Sequence, residues 1–224
     1  MQTMYSYFSF NAVRYLYKHN HKKQTKMQLR LDGSEASMLP ILIEKSNLLI
    51  GQSSKSSLFE LAEFSVGRGI ADLFVVKTDK RNLKKRKDSS LKPSTDLSLY
   101  QNCISDPNLI SIIDRSVAIE AKVRDWRKGL KQAMRYKSFA DKSYLAVYES
   151  HVSKPLEYLD IFIAMNIGLI SVSDRGVNVH YEPLDNKIDY RKSLLASERA
   201  FSIIDNAQNS FVVRNQFTTN SVPT

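Results

Sequence analysis

The chain has 224 residues, an apolar fraction of 42% and a formal net charge of +10. That is enough chain for one large domain with a real core. No apolar run approaches the ~20 residues that a membrane span needs, and the lone Cys103 excludes an internal disulfide framework or a cysteine-cluster zinc site.

The excess positive charge favours polyanionic partners, DNA or RNA foremost. No signal peptide is read, because Asn11, Arg14 and Lys18 interrupt the aromatic N-terminus and no small-residue cleavage site follows. A reducing cytoplasm without membrane association is expected.

In chain order, residues 4–18 offer one amphipathic helix through Tyr7, Phe8, Val13, Leu16 and Tyr17. Residues 35–50 predict a second helix, with Pro40 placed in its first turn. Residues 58–66 and 70–77 read as two strands joined by the tight turn "GRG" at 67–69. Residues 77–92 hold eight basic and two acidic residues, a net of +6, and read as an exposed, mobile loop. An ill-defined apolar stretch covers 97–113.

A third strand follows at 116–123, a helix at 125–140 and a fourth strand at 143–149. Residues 154–166 predict a helix with Pro155 near its start. Short strands at 168–173 and 176–182 flank a turn. A final helix is expected at 189–205, with a polar, frayed tail from Asn206. The order predicts an α/β domain: a mixed central sheet flanked by helices. The expected organisation is an N-terminal helical and basic region at 1–52, a core at 53–182 with a basic insertion at 77–113, and a C-terminal helix and tail at 183–224.

Two strands carry acids where apolar residues are expected. In "SVAIEAKV" the alternation of side chains puts Glu120 and Lys122 on one face, roughly 6.5–7 Å apart along the strand. In "IADLFVV" Asp72 interrupts an apolar run, although Asp disfavours strands. Charges on a partly buried sheet face are costly unless they pair or serve chemistry. On neighbouring strands, Asp72 and Glu120 make a two-carboxylate site. With a backbone carbonyl they suit a hard divalent cation such as Mg²⁺, with Mn²⁺ as substitute. Lys122 beside it is placed to orient a water or to stabilise developing phosphorane charge. The plainer reading is an exposed Glu–Lys pair with an Asp at a strand end.

The ordered set "GRGIADLFVV…SVAIEAKVRDWRKGLKQAMRYKSFADKSYLAV" resembles the PD-(D/E)XK nuclease superfamily, over about residues 58–150. The resemblance implies a restriction-endonuclease-like αβββαβ core with N- and C-terminal additions. It implies Asp72, Glu120 and Lys122 as catalytic residues, with Asp72 and Glu120 as metal ligands. "QAMRY" is similar to the Gln-x-x-x-Tyr signature of some branches. That places Gln132 and Tyr136 one helical turn apart, near the site. A further acid often joins such sites. Glu60 is the first choice for a further metal ligand and Glu63 the second; a regular strand puts them on opposite faces, so at most one can face the metal. Ala71 stands where many members carry Pro, and the spacer between Asp72 and Glu120 is long.

Trp126, Leu130, Ala133 and Met134 predict a core stripe on the 125–140 helix. Nucleic-acid contacts are expected from Arg68, from Lys84, Lys85, Arg86 and Lys87 in the basic run, and from Lys128, Lys131 and Arg135 on the helix. His19-x-His21 lies in a polar basic segment and is not read as a metal site.

The expected function is metal-dependent hydrolysis of DNA, with RNA left open. The competing readings are a catalytically silent nucleic-acid binder on the same fold, and a nuclease subunit of a defence, repair or transposition assembly. A homodimer or a partner protein is compatible with either.

Overall fold

The computed structural model describes residues 5–7, 33–51, 56–67, 69–89 and 111–219. It has the α/β architecture expected, a mixed sheet with helices on both faces. Its strands are β1 (Tyr5–Tyr7), β2 (Ser56–Val66), β3 (Gly69–Asp79), β4 (Ile113–Lys122), β5 (Lys142–Tyr148), β6 (Gly168–Ser173) and β7 (Gly176–Tyr181), in spatial order β1 to β7. β2, β3 and β4 run antiparallel; β4, β5 and β6 are parallel; β7 returns antiparallel and β1 lies parallel to β2.

The β2–β3 hairpin closes at Val66 and Gly69. Gly67 supplies the positive φ, 59°, that so short a connection demands. Parallel strands need a crossover, and β4 reaches β5 through α4 (Trp126–Tyr136).

One face of the sheet is covered by α1 (Glu35–Glu44) and α2 (Ser46–Ile50). Met38, Ile41, Leu42, Leu49 and Ile50 pack there on Leu73, Val75, Val117, Ile119 and Ala121. The other face is covered by α4 and by the long C-terminal helix. Trp126, Leu130, Ala133, Ala196 and Phe201 meet Phe59, Phe74, Ala118 and Leu145 there. The αβββαβ order therefore runs from α1 through β5.

Several expected elements differ. Tyr5–Tyr7 is a strand rather than the start of a helix, because parallel pairing to Phe59–Leu61 satisfies its backbone; the rest of residues 4–18 lies outside the described residues. The expected 35–50 helix is two helices meeting at Lys45, and Pro40 lies inside α1 rather than in its first turn. The basic run is no loop. It contains α3 (Lys80–Asp88), started by Asp79, whose carboxylate accepts from Arg81 N at 2.7 Å and Asn82 N at 3.3 Å. These two amides hold the Asp79 carboxyl below its ordinary range.

The expected 154–166 helix is two, α5 (Ser153–Leu156) and α6 (Leu159–Met165). The last helix, α7 (Tyr190–Thr219), continues through the segment expected to fray from Asn206. On α4 the buried stripe is Trp126, Gly129, Leu130, Ala133 and Tyr136. Met134 is 40% exposed and leaves the stripe. Trp126 packs as expected, its ring 5.4 Å from Tyr158 and 5.9 Å from Phe162.

Candidate functional site

The β3–β4 ladder ends at Leu73 and Ile119, one residue short of Asp72 and Glu120. Both strands of the hairpin kink at this level. Phe59 and Leu61 share a core cluster with Phe64 and Val66, so the two-residue alternation of β2 breaks at Glu63, whose φ is 50°. Across from it, Phe74 and Ala71 fall in that same cluster with Asp72 between them. A left-handed non-glycine costs about 1–2 kcal/mol. The kink takes Asp72 out of the regular ladder. Its Oδ2 accepts directly from Ala121 N at 2.7 Å, where a backbone carbonyl would otherwise sit.

β4 continues past that point and presents Glu120 and Lys122, both buried. Lys122 Nζ lies 2.7 Å from Glu120 Oε1, 2.9 Å from Ala121 O, 3.2 Å from Glu35 Oε2 and 3.9 Å from Asp72 Oδ2. The three residues singled out from sequence are thus brought together. A fourth, Glu35, arrives from the first turn of α1. Tyr148 at the end of β5 anchors that turn. Its hydroxyl lies 2.6 Å from Ser37 Oγ, accepts from Gly33 N at 3.1 Å and meets Ser34 O at 3.1 Å.

From the opposite face α4 adds Tyr136. Its hydroxyl hydrogen-bonds with both Glu120 Oε2 and the Ile70 carbonyl. One phenolic proton between two acceptors leaves the cluster short of donors. Gln132, one turn earlier on α4, has a buried Oε1 with no partner among the described residues. α4 sits this close because residue 129 is glycine: a Cβ there would lie 2.7 Å from Lys122 Cγ and 2.5 Å from Leu145 Cδ1. Gly in a helix interior costs about 1 kcal/mol against Ala, so its presence marks a close approach.

The electrostatics follow from crowding. Burial and then the neighbouring Glu120 charge push the Asp72 carboxyl up to about 6, despite the Ala121 amide and the Lys122 ammonium, which pull the other way. Burial alone would lower Lys122. The Glu120 hydrogen bond and charge, with those of Asp72 and Glu35, outweigh it and hold the ammonium above its ordinary range. Burial and the Glu120 carboxylate raise the Tyr136 phenol far above its usual range, so it stays protonated.

Among the described residues no group of three or more His, Cys, Asp and Glu side chains is gathered as a metal centre. The oxygens are drawn instead around one ammonium. Their chemistry nonetheless fits a hard cation: Asp72, Glu120 and the Ala121 carbonyl are oxygen donors at one point, with Glu35 at the rim.

Glu60 does not belong to this site. It pairs across the ladder with Val75, three residues along β3 from Asp72, which is about 10 Å. It is fully buried toward α2, where Ser46 Oγ donates to its Oε1 at 2.9 Å. Glu63, the second choice, is exposed at the kink level with Asp72.

Arg86 is not available to phosphate either. It is buried, with Nε and Nη2 on Glu198 of α7 at 2.7 and 2.5 Å, Nη1 on Ser89 Oγ at 3.0 Å and Cζ 4.5 Å from the Phe201 ring centroid. Lys84, Lys85 and Lys87 remain exposed, but α3 starts eight residues beyond Asp72, about 26 Å along β3 from the carboxylates. Lys128, Lys131 and Arg135 are exposed on α4, the helix that bounds the site. Arg68 lies outside the described residues.

Glu35 breaks no local sequence pattern. It is 37 residues from Asp72, and only the packing of α1 on the sheet brings it in. Its one local signal was a Ser34 cap opening the helix.

No protein-family model matches this chain, and no curated protein matches it. Among solved structures it is similar to a protein of unknown function from Silicibacter pomeroyi, 13% identical, covering 71% of this chain and 81% of that chain with a TM-score of 0.40. No helix among the described residues is long and apolar enough to cross a membrane.

Proposed function

We propose that this chain is a divalent-metal-dependent nuclease of the PD-(D/E)XK type that hydrolyses DNA phosphodiester bonds in a reducing cytoplasm. The observation that carries the reading is the convergence of Asp72, Glu120 and Lys122, with the Ala121 carbonyl, where β3 and β4 part. The E-x-K spacing alone is common; its convergence with an Asp from the neighbouring strand and a Tyr from the next helix is far less so.

Asp72, Glu120 and Ala121 O would hold Mg²⁺ or Mn²⁺, and Glu35 is within reach of the same point. When bound, the ion supplies Lewis-acid polarisation of the scissile phosphate and lowers the pKa of a water. The chain's own groups do the rest. Lys122 carries a fixed positive charge to the phosphate oxygens and orients the attacking water. Tyr136 hydrogen-bonds Glu120 and holds it in place. Gln132, whose buried Oε1 has no partner among the described residues, is available to a substrate donor or an ordered water. Lys128, Lys131 and Arg135 track the phosphate backbone beside the site, and the lysines of α3 lie about one duplex width away.

The test is cleavage of linear and circular DNA, single- and double-stranded, with Mg²⁺, Mn²⁺ or EDTA, alongside Glu120→Ala. Metal-dependent cutting lost in the variant is the expected result, and the substrate form separates endonuclease from exonuclease. Salt-sensitive binding without cutting in any metal points to a silent binder or to a subunit needing its partner.

A further inference from the structure

We propose that the Lys122 ammonium is the resident cation of the carboxylate cluster and that a divalent ion must displace it to bind. The inference rests on the metal-centre reading above and deepens it.

Four oxygens from four residues converge on Lys122 Nζ: Glu120 Oε1 at 2.7 Å, Ala121 O at 2.9 Å, Glu35 Oε2 at 3.2 Å and Asp72 Oδ2 at 3.9 Å. These are the hard donors a divalent ion would use. Mg²⁺ needs its oxygens at about 2.0–2.1 Å, closer than any of them stands to Nζ. An ion that takes these same four oxygens must sit among them, in the space the ammonium now fills. Repulsion between two cations so close together in a partly buried pocket adds to the steric conflict.

The lysine is built to move at one end only. Its stem lies against α4 at Gly129, where a Cβ would come within 2.7 Å of Lys122 Cγ and 3.6 Å of Cβ. The stem is held by the helix backbone, so only the outer methylenes and the ammonium swing. The exit is marked by Glu35. Its side chain is 46% exposed, against 9% for Lys122 and 1% for Glu120. Glu35 thus stands at the mouth of the site and retains the displaced ammonium on the solvent side, where a phosphate arrives. The exchange links metal loading to delivery of the lysine.

The test is Mn²⁺ binding, by titration calorimetry and by the paramagnetic signal of free Mn²⁺, without nucleic acid. Wild type, K122M and K122R are compared, each checked for folding by circular dichroism. K122M removes the competing charge and is expected to bind Mn²⁺ at least about tenfold more tightly than wild type. K122R keeps the charge and is expected to bind no more tightly than wild type. A K122M chain that folds only when Mn²⁺ is added supports the same conclusion. K122M binding with wild-type affinity or weaker, or K122R binding more tightly, overturns the exchange and leaves the metal centre standing. No Mn²⁺ binding by any of the three overturns the metal centre, and this inference with it.

Discussion

Two buried ionic clusters lie on this sheet, and they are built on opposite terms. Arg86 and Glu198 are both 1% exposed and meet through a two-pronged contact. Ser89 and the Phe201 ring also lie against the guanidinium. Among the described residues the Lys122 cluster has one ammonium for three carboxylates, a phenol with one proton for two acceptors and a buried amide oxygen without a partner. Burial of charge is common to both, but the second gathers three carboxylates around one ammonium. A two-pronged arginine–carboxylate contact fastens α3 to α7, whereas carboxylates that outnumber their ammonium are the oxygen donors a hard cation takes.

The contrast can be broken from either side. Arg86→Ala leaves Glu198 buried without its partner and is expected to cost about 3–5 kcal/mol of stability in urea denaturation. Replacing both members, as R86M with E198M, is expected to recover most of that loss. A single variant as stable as wild type would remove the clasp from the account.

At the other cluster, Gly129→Ala pushes on the Lys122 stem and on Leu145. The gain in helix propensity, about 1 kcal/mol, offsets part of the overpacking cost of about 1–3 kcal/mol. A net loss of no more than about 2 kcal/mol of stability is therefore expected, while kcat falls by about tenfold or more. Equal losses of stability and activity would reduce Gly129 to a packing residue.

The smallest expected effect runs the other way. The Asp72 carboxyl is raised from 3.8 to about 6. Its contribution to stability is therefore fully present below about pH 3.8 and is lost as pH rises through about 6. Asp72→Asn carries no such loss, and its amide oxygen still accepts from Ala121 N. With metal removed by EDTA, the variant is expected to match wild type near pH 4. By pH 7 it should exceed wild type by about 1–2 kcal/mol, a figure reduced for solvent screening of a side chain 32% exposed. A gap that shrinks as pH rises would contradict the assignment of the raised carboxyl.

Much of this site was readable in the sequence, for a physical reason. A charge in an apolar strand violates the pattern of its neighbours, and Asp72, Glu120 and Lys122 each do so within a few residues. Strand alternation then places Glu120 and Lys122 together without knowledge of the fold. The misreadings have physical reasons as well. A regular strand would put Glu60 and Glu63 on opposite faces, but β2 kinks at Glu63, and a kink leaves no mark in residue spacing. Glu60 satisfies itself against Ser46 of α2. Arg86 sits in a run of exposed basic residues, and only a partner 112 residues away buries it. Glu35 enters through the packing of α1. Contacts between distant segments, rather than local pattern, decided each of these cases.

If the Lys122 cluster gives up stability for chemistry, one comparison shows it: cleavage of supercoiled DNA in Mg²⁺ by wild type and D72N, with the metal-free melting of both at pH 7. D72N is expected to melt above wild type yet to lose cleavage by on the order of 10³-fold or more. A D72N chain that cuts at the wild-type rate would show that Asp72 has no part in the reaction.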